Sequence, residues 1–328
     1  MTGFINFPSW LSPEIIPGLP IRWYGLMYIV GFGLTYLLFQ YQVRERKLDL
    51  PKDQVSNFFF WTIVGLVLGA RIGYALIYDV SGTFRTSPWL VFWPFDEKGS
   101  FSGLSGMSFH GGVVGALIGA AIFAKKTKID LLVWTDMAMA ALPLGYTFGR
   151  LGNFINGELY GRVTDAPWGV IFPGAERLST AEPWVQKLMA TLGVGNPAQA
   201  TVNLPRHPSQ LYEAFGEGLL LWLIFWFLLK RTPRFKGFFL GLFLVGYGAV
   251  RFVVEYFRNP DKGMDFPIAL DPSAFMDSTG KAITSHLVVS PWNFSMGQIL
   301  CVLMIVGGTL FMIYRWQAEK KVPQPLKK

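Results

Sequence analysis

The residues of this chain that could do chemistry gather in one polar run, GRLGNFINGELYGRVT, which follows directly on an apolar segment. Its polar members include Arg150, Asn153, Asn156, Glu158 and Arg162. An arginine at a bilayer centre costs about 2.5–3.5 kcal/mol unless it is paired or hydrated. Arg150 alone could simply extend to the interface, but the asparagines and the glutamate beside it would then be unexplained. A guanidinium holds phosphate oxygens and amides hold hydroxyls, so the run predicts chemistry on a lipid headgroup.

A second polar pattern lies within a later apolar segment, which reads YGAVRFVVEYFR. It spaces Tyr247, Arg251, Glu255 and Arg258 at i, i+4, i+8 and i+11, so a helix would present them as one stripe. Two interpretations stay open. Arg251 and Glu255 could form only a structural ion pair, or the arginine could bind an anionic substrate. Under either interpretation we expect the stripe to face inward.

Two of the histidines have distinct sequence contexts. His110 lies in GMSFHGG at the start of an apolar segment, near the expected outer end of a helix. Histidine is the usual general base near neutral pH, although His110 could equally be a structural residue bonded to a neighbouring helix. His207 precedes Pro208 and Ser209 in RHPSQLYE, a pattern typical of a helix start. We expect His207 to be structural and exposed.

The elements that must position these residues are strongly apolar. With 328 residues, 52% hydrophobic and 15% charged, the chain is too apolar for an ordinary soluble enzyme. Segments near the roughly 20 residues that cross a bilayer lie at about 22–42, 56–79, 107–124, 131–149, 209–229, 237–257 and 295–315. We therefore predict an all-α integral membrane protein in which residues 1–328 form a single transmembrane domain of seven helices.

The distribution of basic residues predicts the orientation. Lysine and arginine concentrate in alternate connections, at 44–52, 125–128, 230–236 and 315–328. The positive-inside rule then places the N-terminus in the periplasm and the C-terminus in the cytoplasm. The net charge of +8 is explained by topology and by attraction to anionic lipid, so no nucleic-acid partner is implied. Residues 158–207, rich in turn residues with one short helical pattern, are expected to form a periplasmic insertion between helices four and five.

Small residues suggest how the helices pack. Glycines recur every four residues in two segments, at Gly65, Gly69 and Gly73 and at Gly111, Gly115 and Gly119. Such stripes allow helices to approach closely. The single cysteine, Cys301, falls in the last apolar segment, so we predict a buried small residue and no disulfide.

Familiar cofactor motifs are missing from the sequence. It contains no HExxH, no Cys/His ligand cluster and no Gly-rich nucleotide loop, so neither a metal nor a cofactor is predicted. Arginine, histidine, glutamate, tyrosine and asparagine together suit displacement at a phosphoester, with arginines holding the leaving phosphate. Two other classes stay open on these residues: a lipid transporter whose charges line a path, and a membrane lipid phosphatase.

Four motifs in this order resemble those of one known family. GRLGNFINGELYGRVT, with MSFHGG before it and RHPSQLYE and YGAVRFVVEYFR after it, is similar to the bacterial phosphatidylglycerol–prolipoprotein diacylglyceryl transferases. The resemblance covers nearly the whole chain. It implies an enzyme of the bacterial cytoplasmic (inner) membrane that moves the diacylglyceryl group of phosphatidylglycerol to the lipobox cysteine in a preprolipoprotein signal peptide. A thioether forms and glycerol phosphate is released.

The resemblance also implies roles for individual residues. Arg150 and Arg251 would bind the donor phosphate, His110 is a candidate base for the thiol, and Glu255 would orient Arg251 or share the proton transfer. Residues that would shape the headgroup site are Tyr24, Asn153, Asn156, Glu158, Gly161 and Tyr247. By its position alone, Tyr24 is most simply a residue of the interfacial aromatic belt. The reaction would need no cofactor, and nearby cations would lower the pKa of the substrate thiol.

Overall fold

Helices dominate the architecture of this protein. A computed structural model describes residues 3–16, 18, 21–79, 82–93, 106–196, 198–231, 235–259, 266–271 and 290–321. The helices are α1 (Trp23–Glu45), α2 (Gln54–Ile77), α3 (Thr83–Thr86), α4 (Phe109–Thr127), α5 (Leu131–Ile155), α6 (Pro183–Leu192), α7 (Ser209–Leu229), α8 (Phe238–Val254) and α9 (Met296–Lys320). The described residues also form three two-stranded ribbons. In the parallel ribbon, β1 (Ile5–Asn6) pairs with β2 (Val170–Ile171). In the two antiparallel ribbons, β3 (Leu178–Ser179) pairs with β4 (Thr201–Val202), and β5 (Ile268–Ala269) pairs with β6 (Asn293–Phe294).

Each of the seven apolar segments predicted from the sequence is helical. Within the described ranges, α1, α2, α5, α7 and α9 are long and apolar enough to cross a membrane, and α8 is a shorter apolar helix. The chain is therefore a mostly helical protein with several candidate membrane spans. Much of the two long connections between the apolar segments, at about 80–106 and 258–294, falls outside the described residues.

The chain divides into two compact units. The first comprises residues 1–38 and 135–328, and the second comprises residues 39–134. In the second unit, α2 and α4 approach so closely that a Cβ on Gly65, Gly69 or Gly115 would overlap backbone atoms of the partner helix. The close helix contact expected at these glycines is confirmed, because only residues without a Cβ fit at this separation. The structure adds that the two stripes face each other.

Helix α5 extends further than the sequence pattern predicted. It runs to Ile155, so Arg150 and Asn153 lie on its last turns rather than on a loop after them. Near this end Gly152 packs against α1, where a Cβ would lie 3.4 Å from the Tyr24 Cα. Gly157, with φ of +67°, follows the helix end in a conformation that favours glycine.

Helix α7 contains two π-helical stretches, Ala214–Leu220 and Ile224–Leu229. The wider π turn is rare and occurs frequently at functional sites. Here the first stretch begins directly after Glu213. An apolar core of Ala140, Leu221, Phe225 and Phe239 joins α5, α7 and α8 beside it.

Helix α8 begins and ends at identifiable interactions. At its start, Asp136 of α5 accepts hydrogen bonds from the backbone N–H groups of Gly237 and Leu240, at 2.8 and 3.1 Å. The helix ends at Val254, so the stripe predicted over Tyr247, Arg251, Glu255 and Arg258 is wrong at its last member. Arg258 lies beyond the helix end, where its backbone pairs with Gly161.

Residues 158–207 fold around a small core of their own. Its buried members are Val163, Leu178, Val185, Met189, Val202 and Leu204. The predicted short helical pattern in this region corresponds to α6, which Gly193 ends in the left-handed conformation.

Candidate functional site

Arg150 occupies the centre of a polar cluster in the first unit. Its Nε donates a hydrogen bond to the Tyr146 hydroxyl at 2.6 Å, and its guanidinium lies over the Tyr146 ring, 4.9 Å from the centroid. The same Nε is 2.7 Å from Glu213 Oε2. Because Arg150 Nε carries only one hydrogen and donates it to Tyr146, its contact with Glu213 is an ionic interaction and not a hydrogen bond.

Glu213 brings the arginines together. The residue is 0% exposed, and its Oε1 lies 3.1 Å from Arg251 Nη1 and 3.5 Å from Arg258 Nη1. Arg150 comes from α5, Arg251 from α8 and Arg258 from the chain after α8. One carboxylate on α7 therefore gathers cations from three parts of the sequence.

Glu217 lies one turn further along α7 and is also 0% exposed. It accepts a hydrogen bond from the Tyr146 hydroxyl, and its Oε1 lies 3.7 Å from Arg251 Nη1. The Tyr247 hydroxyl is 3.5 Å from that of Tyr146. Tyr247, a predicted site residue, thus lies against the cluster.

Arg251 has a third carboxylate partner in Glu255, at 2.8 Å between Nη2 and Oε2. The helix stripe predicted for this pair is confirmed, and both residues point inward. Arg251 Nη1 is buried but has no aligned hydrogen-bond acceptor among the described residues. Its contacts with Glu213 and Glu217, at 3.1 and 3.7 Å, are ionic, so its N–H bonds can still donate to a better-placed anion.

The Arg–Glu cluster, as we name this set, is balanced in formal charge. In the described part of the chain it comprises Arg150, Arg251, Arg258, Glu213, Glu217 and Glu255. Three cations and three anions compensate one another, which makes burial in an apolar bundle tolerable. Among the described residues, Glu213 receives contacts at ionic distance but no aligned hydrogen bond, so it does not occupy all the N–H donors of the arginines.

The polar run after Arg150 extends the cluster outward. Arg150 Nη1 lies 3.4 Å from Asn153 Oδ1, and Asn153 Nδ2 donates to Glu158 Oε1 at 2.9 Å. Gln210 of α7 in turn donates to the Glu158 carbonyl at 2.6 Å. Asn156 follows the helix and is half-buried. Asn153 and Glu158 are therefore coupled to Arg150 through one chain of hydrogen bonds.

Gly161 marks a close backbone crossing. Its N–H donates to the His207 carbonyl at 2.8 Å, and a Cβ there would overlap the Phe257 carbonyl. The glycine is therefore required for packing beside the cluster. Arg162, the next residue, is 2% exposed and donates to the Tyr256 carbonyl at 3.1 Å. Arg162 thus bonds the backbone of the chain that follows α8.

Tyr24 approaches the same region from α1. Its hydroxyl donates to that of Tyr28 at 3.1 Å and interacts electrostatically with Glu158 and Arg150. Helix α1 packs against α5 at Gly152, two residues after Arg150, so Tyr24 lies beside the polar run that contains the predicted phosphate ligand.

His110 lies in the second unit, on the first turn of α4, and is exposed. Its ring contacts that of Phe109 in a T-shaped arrangement, with centroids 5.6 Å apart. The residue is therefore accessible, as a general base requires.

His207 is buried at 8% exposure, so its predicted exposure is wrong. Trp168 donates to the Tyr212 hydroxyl at 2.7 Å, and that hydroxyl lies 3.1 Å from His207 Nδ1. Burial lowers the pKa of His207, although Asp165 partly opposes this. Pairing of the chain at Arg206 with Val170 draws the histidine inward and leaves it a structural residue.

Three members of the site were missed in the sequence: Glu213, Glu217 and Tyr146. RHPSQLYE predicted a helix start and contributed to the family resemblance, but its glutamate was given no role, although Glu213 and Glu217 stand four residues apart in an apolar segment. Charged residues in such segments are functional candidates by the rule that singled out the arginines. That signal would have found both carboxylates, but Tyr146 has no comparable one.

The chain is similar to known proteins over nearly its whole length. A family model described as prolipoprotein diacylglyceryl transferase matches residues 13–314, which is nearly all of the sequence. The chain belongs to the prolipoprotein diacylglyceryl transferase family. Membership in this family confirms the resemblance that the four motifs indicated.

Curated relatives agree with this family. A phosphatidylglycerol–prolipoprotein diacylglyceryl transferase of Treponema denticola is 45% identical, over 98% of this chain and 97% of its own. Proteins of the same name from Chlorobaculum tepidum and Borreliella burgdorferi are 41% and 40% identical, over 96% and 98% of this chain and 94% and 97% of their own. The similarity to these diacylglyceryl transferases is therefore spread over whole proteins.

Proposed function

We propose that this protein transfers the diacylglyceryl group of phosphatidylglycerol to the lipobox cysteine of preprolipoproteins. The names of its relatives support this reaction over the phosphatase and the transporter that the residues alone left open. The structural observation that carries the proposal is the buried Arg251 Nη1, whose donors have no aligned acceptor among the described residues and which shares Glu213 with Arg150. A phosphate oxygen would supply that acceptor.

The proposed reaction is a displacement at carbon. The lipobox thiol loses its proton, and its sulfur bonds to the carbon of the diacylglyceryl group that is esterified to the phosphate. The carbon–oxygen bond breaks, and its electron pair leaves with glycerol phosphate. The nucleophile belongs to the substrate, which agrees with Cys301 being 3% exposed within α9. Arginines that stabilise the leaving phosphate supply the main electrostatic contribution, and we propose no metal or cofactor.

Each site residue has a proposed role in this reaction. Arg150 and Arg251 hold the donor phosphate, and Glu255 orients Arg251. His110 accepts the thiol proton. The headgroup glycerol is surrounded by Tyr24, Asn153, Asn156, Glu158, Gly161 and Tyr247. To this set we add Glu213, because its contacts with both phosphate-binding arginines set their separation.

The proposed setting is the bacterial cytoplasmic (inner) membrane. We propose seven spans, with the N-terminus and the 158–207 insertion in the periplasm and the C-terminus in the cytoplasm. Arg150 lies near the C-terminal end of α5, a few residues before that insertion, so the active site would face the periplasm. There it would meet membrane phosphatidylglycerol and the signal peptide of an exported preprolipoprotein.

The experiment that tests this function is direct. Purified protein in detergent is incubated with phosphatidylglycerol and a lipobox peptide, and the peptide is analysed by mass spectrometry. We expect one diacylglyceryl group on the cysteine, none when that cysteine is serine, and none with Arg150→Ala. A matched control is Arg315→Ala, since among the described residues Arg315 bonds the Lys236 carbonyl and Glu319, near the C-terminal end of α9. Release of inorganic phosphate without peptide modification would favour a phosphatase instead.

A further inference from the structure

Glu255 contacts the start of helix α9 as well as Arg251. The Ser295 hydroxyl donates a hydrogen bond to Glu255 Oε1 at 3.2 Å, while Glu255 Oε2 pairs with Arg251 Nη2 at 2.8 Å. Ser295 and Glu255 are 2% and 7% exposed. The two oxygens of one buried carboxylate therefore connect α9 to a phosphate-binding arginine.

Ser295 is itself held rigidly. It is the N-cap of α9, and its hydroxyl accepts a hydrogen bond from the Gln298 N–H at 3.2 Å. The Gln298 side chain completes the capping box by accepting from the Ser295 N–H at 2.9 Å. The hydroxyl that meets Glu255 is thus fixed in direction by the backbone of α9.

Gly297 provides the space for this carboxylate. A Cβ at Gly297 would lie 2.6 Å from Glu255 Oε1 and 2.7 Å from its Cδ. Any other residue here would force the carboxylate to move. The positive end of the α9 helix dipole further favours an anion at this point.

We propose that Ser295 and Gly297 are positioning residues for diacylglyceryl transfer: they fix Glu255, and through Glu255 they direct the Arg251 guanidinium toward the donor phosphate. This inference rests on the proposed function, in which Arg251 binds phosphate. Neither residue touches substrate in the proposed mechanism. Ser295 and Gly297 would act on Arg251 through the Glu255 carboxylate, because its Oε1 and Oε2 are rigidly joined and a shift of one moves the other.

Substitution of Ser295 separates positioning from capping. We expect Ser295→Ala to lower kcat/KM for phosphatidylglycerol about tenfold, since a hydrogen bond to a charged group is lost. Ser295→Thr keeps a capping hydroxyl and should restore most of the activity. Gln298→Ala is the matched control, because it breaks the capping box but leaves the Ser295 hydroxyl on Glu255. All variants are compared at temperatures below their unfolding transitions.

Substitution of Gly297 gives an independent test. Gly297→Ala should displace Glu255 and raise KM for phosphatidylglycerol, while KM for the lipobox peptide stays unchanged. Gly307→Ala, on the same helix with nothing within 4 Å of the added Cβ, should behave as wild type. If Ser295→Ala does not fold, Gly297→Ala carries the same test, because only the end of the Glu255 side chain must shift.

Two results would overturn the positioning role. One is an equal loss of activity in Ser295→Ala and Gln298→Ala, in proportion to lost stability. The other is Gly297→Ala being as active as Gly307→Ala. Both are distinct from failure of the proposed function, in which the wild-type protein itself would leave the peptide unmodified.

Discussion

At the scale of single residues, Glu213 determines how the arginines of the Arg–Glu cluster are arranged. It lies within 3.5 Å of nitrogen atoms of Arg150, Arg251 and Arg258 while having no exposure to solvent. Removing one partner of a buried ion pair leaves the others uncompensated. The cations would then repel one another and separate.

Glu213→Gln should therefore abolish transfer and lower the free energy of unfolding by about 3–5 kcal/mol. The amide keeps the shape of the side chain, so the effect reports the charge. Thermal unfolding in detergent measures it. Glu319→Gln is the control, because the Glu319 side chain is 41% exposed and its pair with Arg315 spans 3.5 Å; the expected change is below about 1 kcal/mol. A Glu213→Gln variant of wild-type stability would contradict this account.

His110 is tested through the pH dependence of transfer. We expect His110→Gln to be strongly impaired near pH 7, where histidine acts as the base, and to recover as the thiol ionises without help above its pKa of about 8.5. Rates measured between about pH 6 and 9 decide the point. A variant that keeps most of its rate over this whole range would assign the proton transfer to another group.

At the scale of secondary-structure elements, close helix contact in the second unit depends on residues without side chains. Gly115→Ala would place a Cβ against the Gly65 carbonyl, which belongs to the α2 backbone and cannot turn aside. We expect a loss of about 1–3 kcal/mol, typical of overpacking. In Gly33→Ala the added Cβ meets nothing within 4 Å, so it should instead stabilise α1 by about 0.5–1 kcal/mol. If Gly115→Ala and Gly33→Ala shifted the unfolding midpoint in the same direction from wild type, this reasoning would be refuted.

The pairing of the 158–207 segment with the start of α7 should depend on pH through His207. Burial lowers its pKa in the folded protein, whereas the unfolded chain has the ordinary value near 6.5. The folded state therefore binds fewer protons, and stability rises with pH. It should fall as the pH drops below about 6.5 toward the lowered pKa.

Unfolding midpoints measured from about pH 5 to 8 check this dependence. His207→Gln should flatten the curve, even if it lowers the midpoint at every pH through the lost contact with Tyr212. His110→Gln serves as the control, because His110 is exposed. If the unfolding midpoint changed with pH equally steeply in wild type and His207→Gln, groups other than His207 would be responsible for the pH dependence.

At the scale of the whole molecule, the proposed orientation can be tested with single cysteines. Replacing Cys301 by alanine removes the one native thiol. Lys187→Cys on α6 and Lys125→Cys on the last turn of α4 are both exposed. We expect an impermeant maleimide applied to spheroplasts to label position 187, and position 125 only after permeabilisation. The reverse pattern would invert the topology.

Sequence patterns by themselves determined the local elements and the family. Apolar length predicted the helices that we assign as spans, namely α1, α2, α4, α5, α7, α8 and α9, and glycine spacing predicted close helix contact at the two glycine stripes. The pair of Arg251 with Glu255 was also predictable, because residues four apart meet on one helix. These features depend on neighbours along the chain, which is the information that periodicity carries.

Only the tertiary structure decided which faces of different helices meet. No spacing relates Arg150 on α5 to Glu213 on α7 or to Arg251 on α8, yet their side chains lie within about 3 Å of one carboxylate. The burial of His207 and the contact of Glu255 with Ser295 likewise come from distant segments. Periodicity specifies which side of one helix a residue faces. A site built from several helices also depends on how those helices pack together, and the pattern of residues within any one helix does not specify that packing.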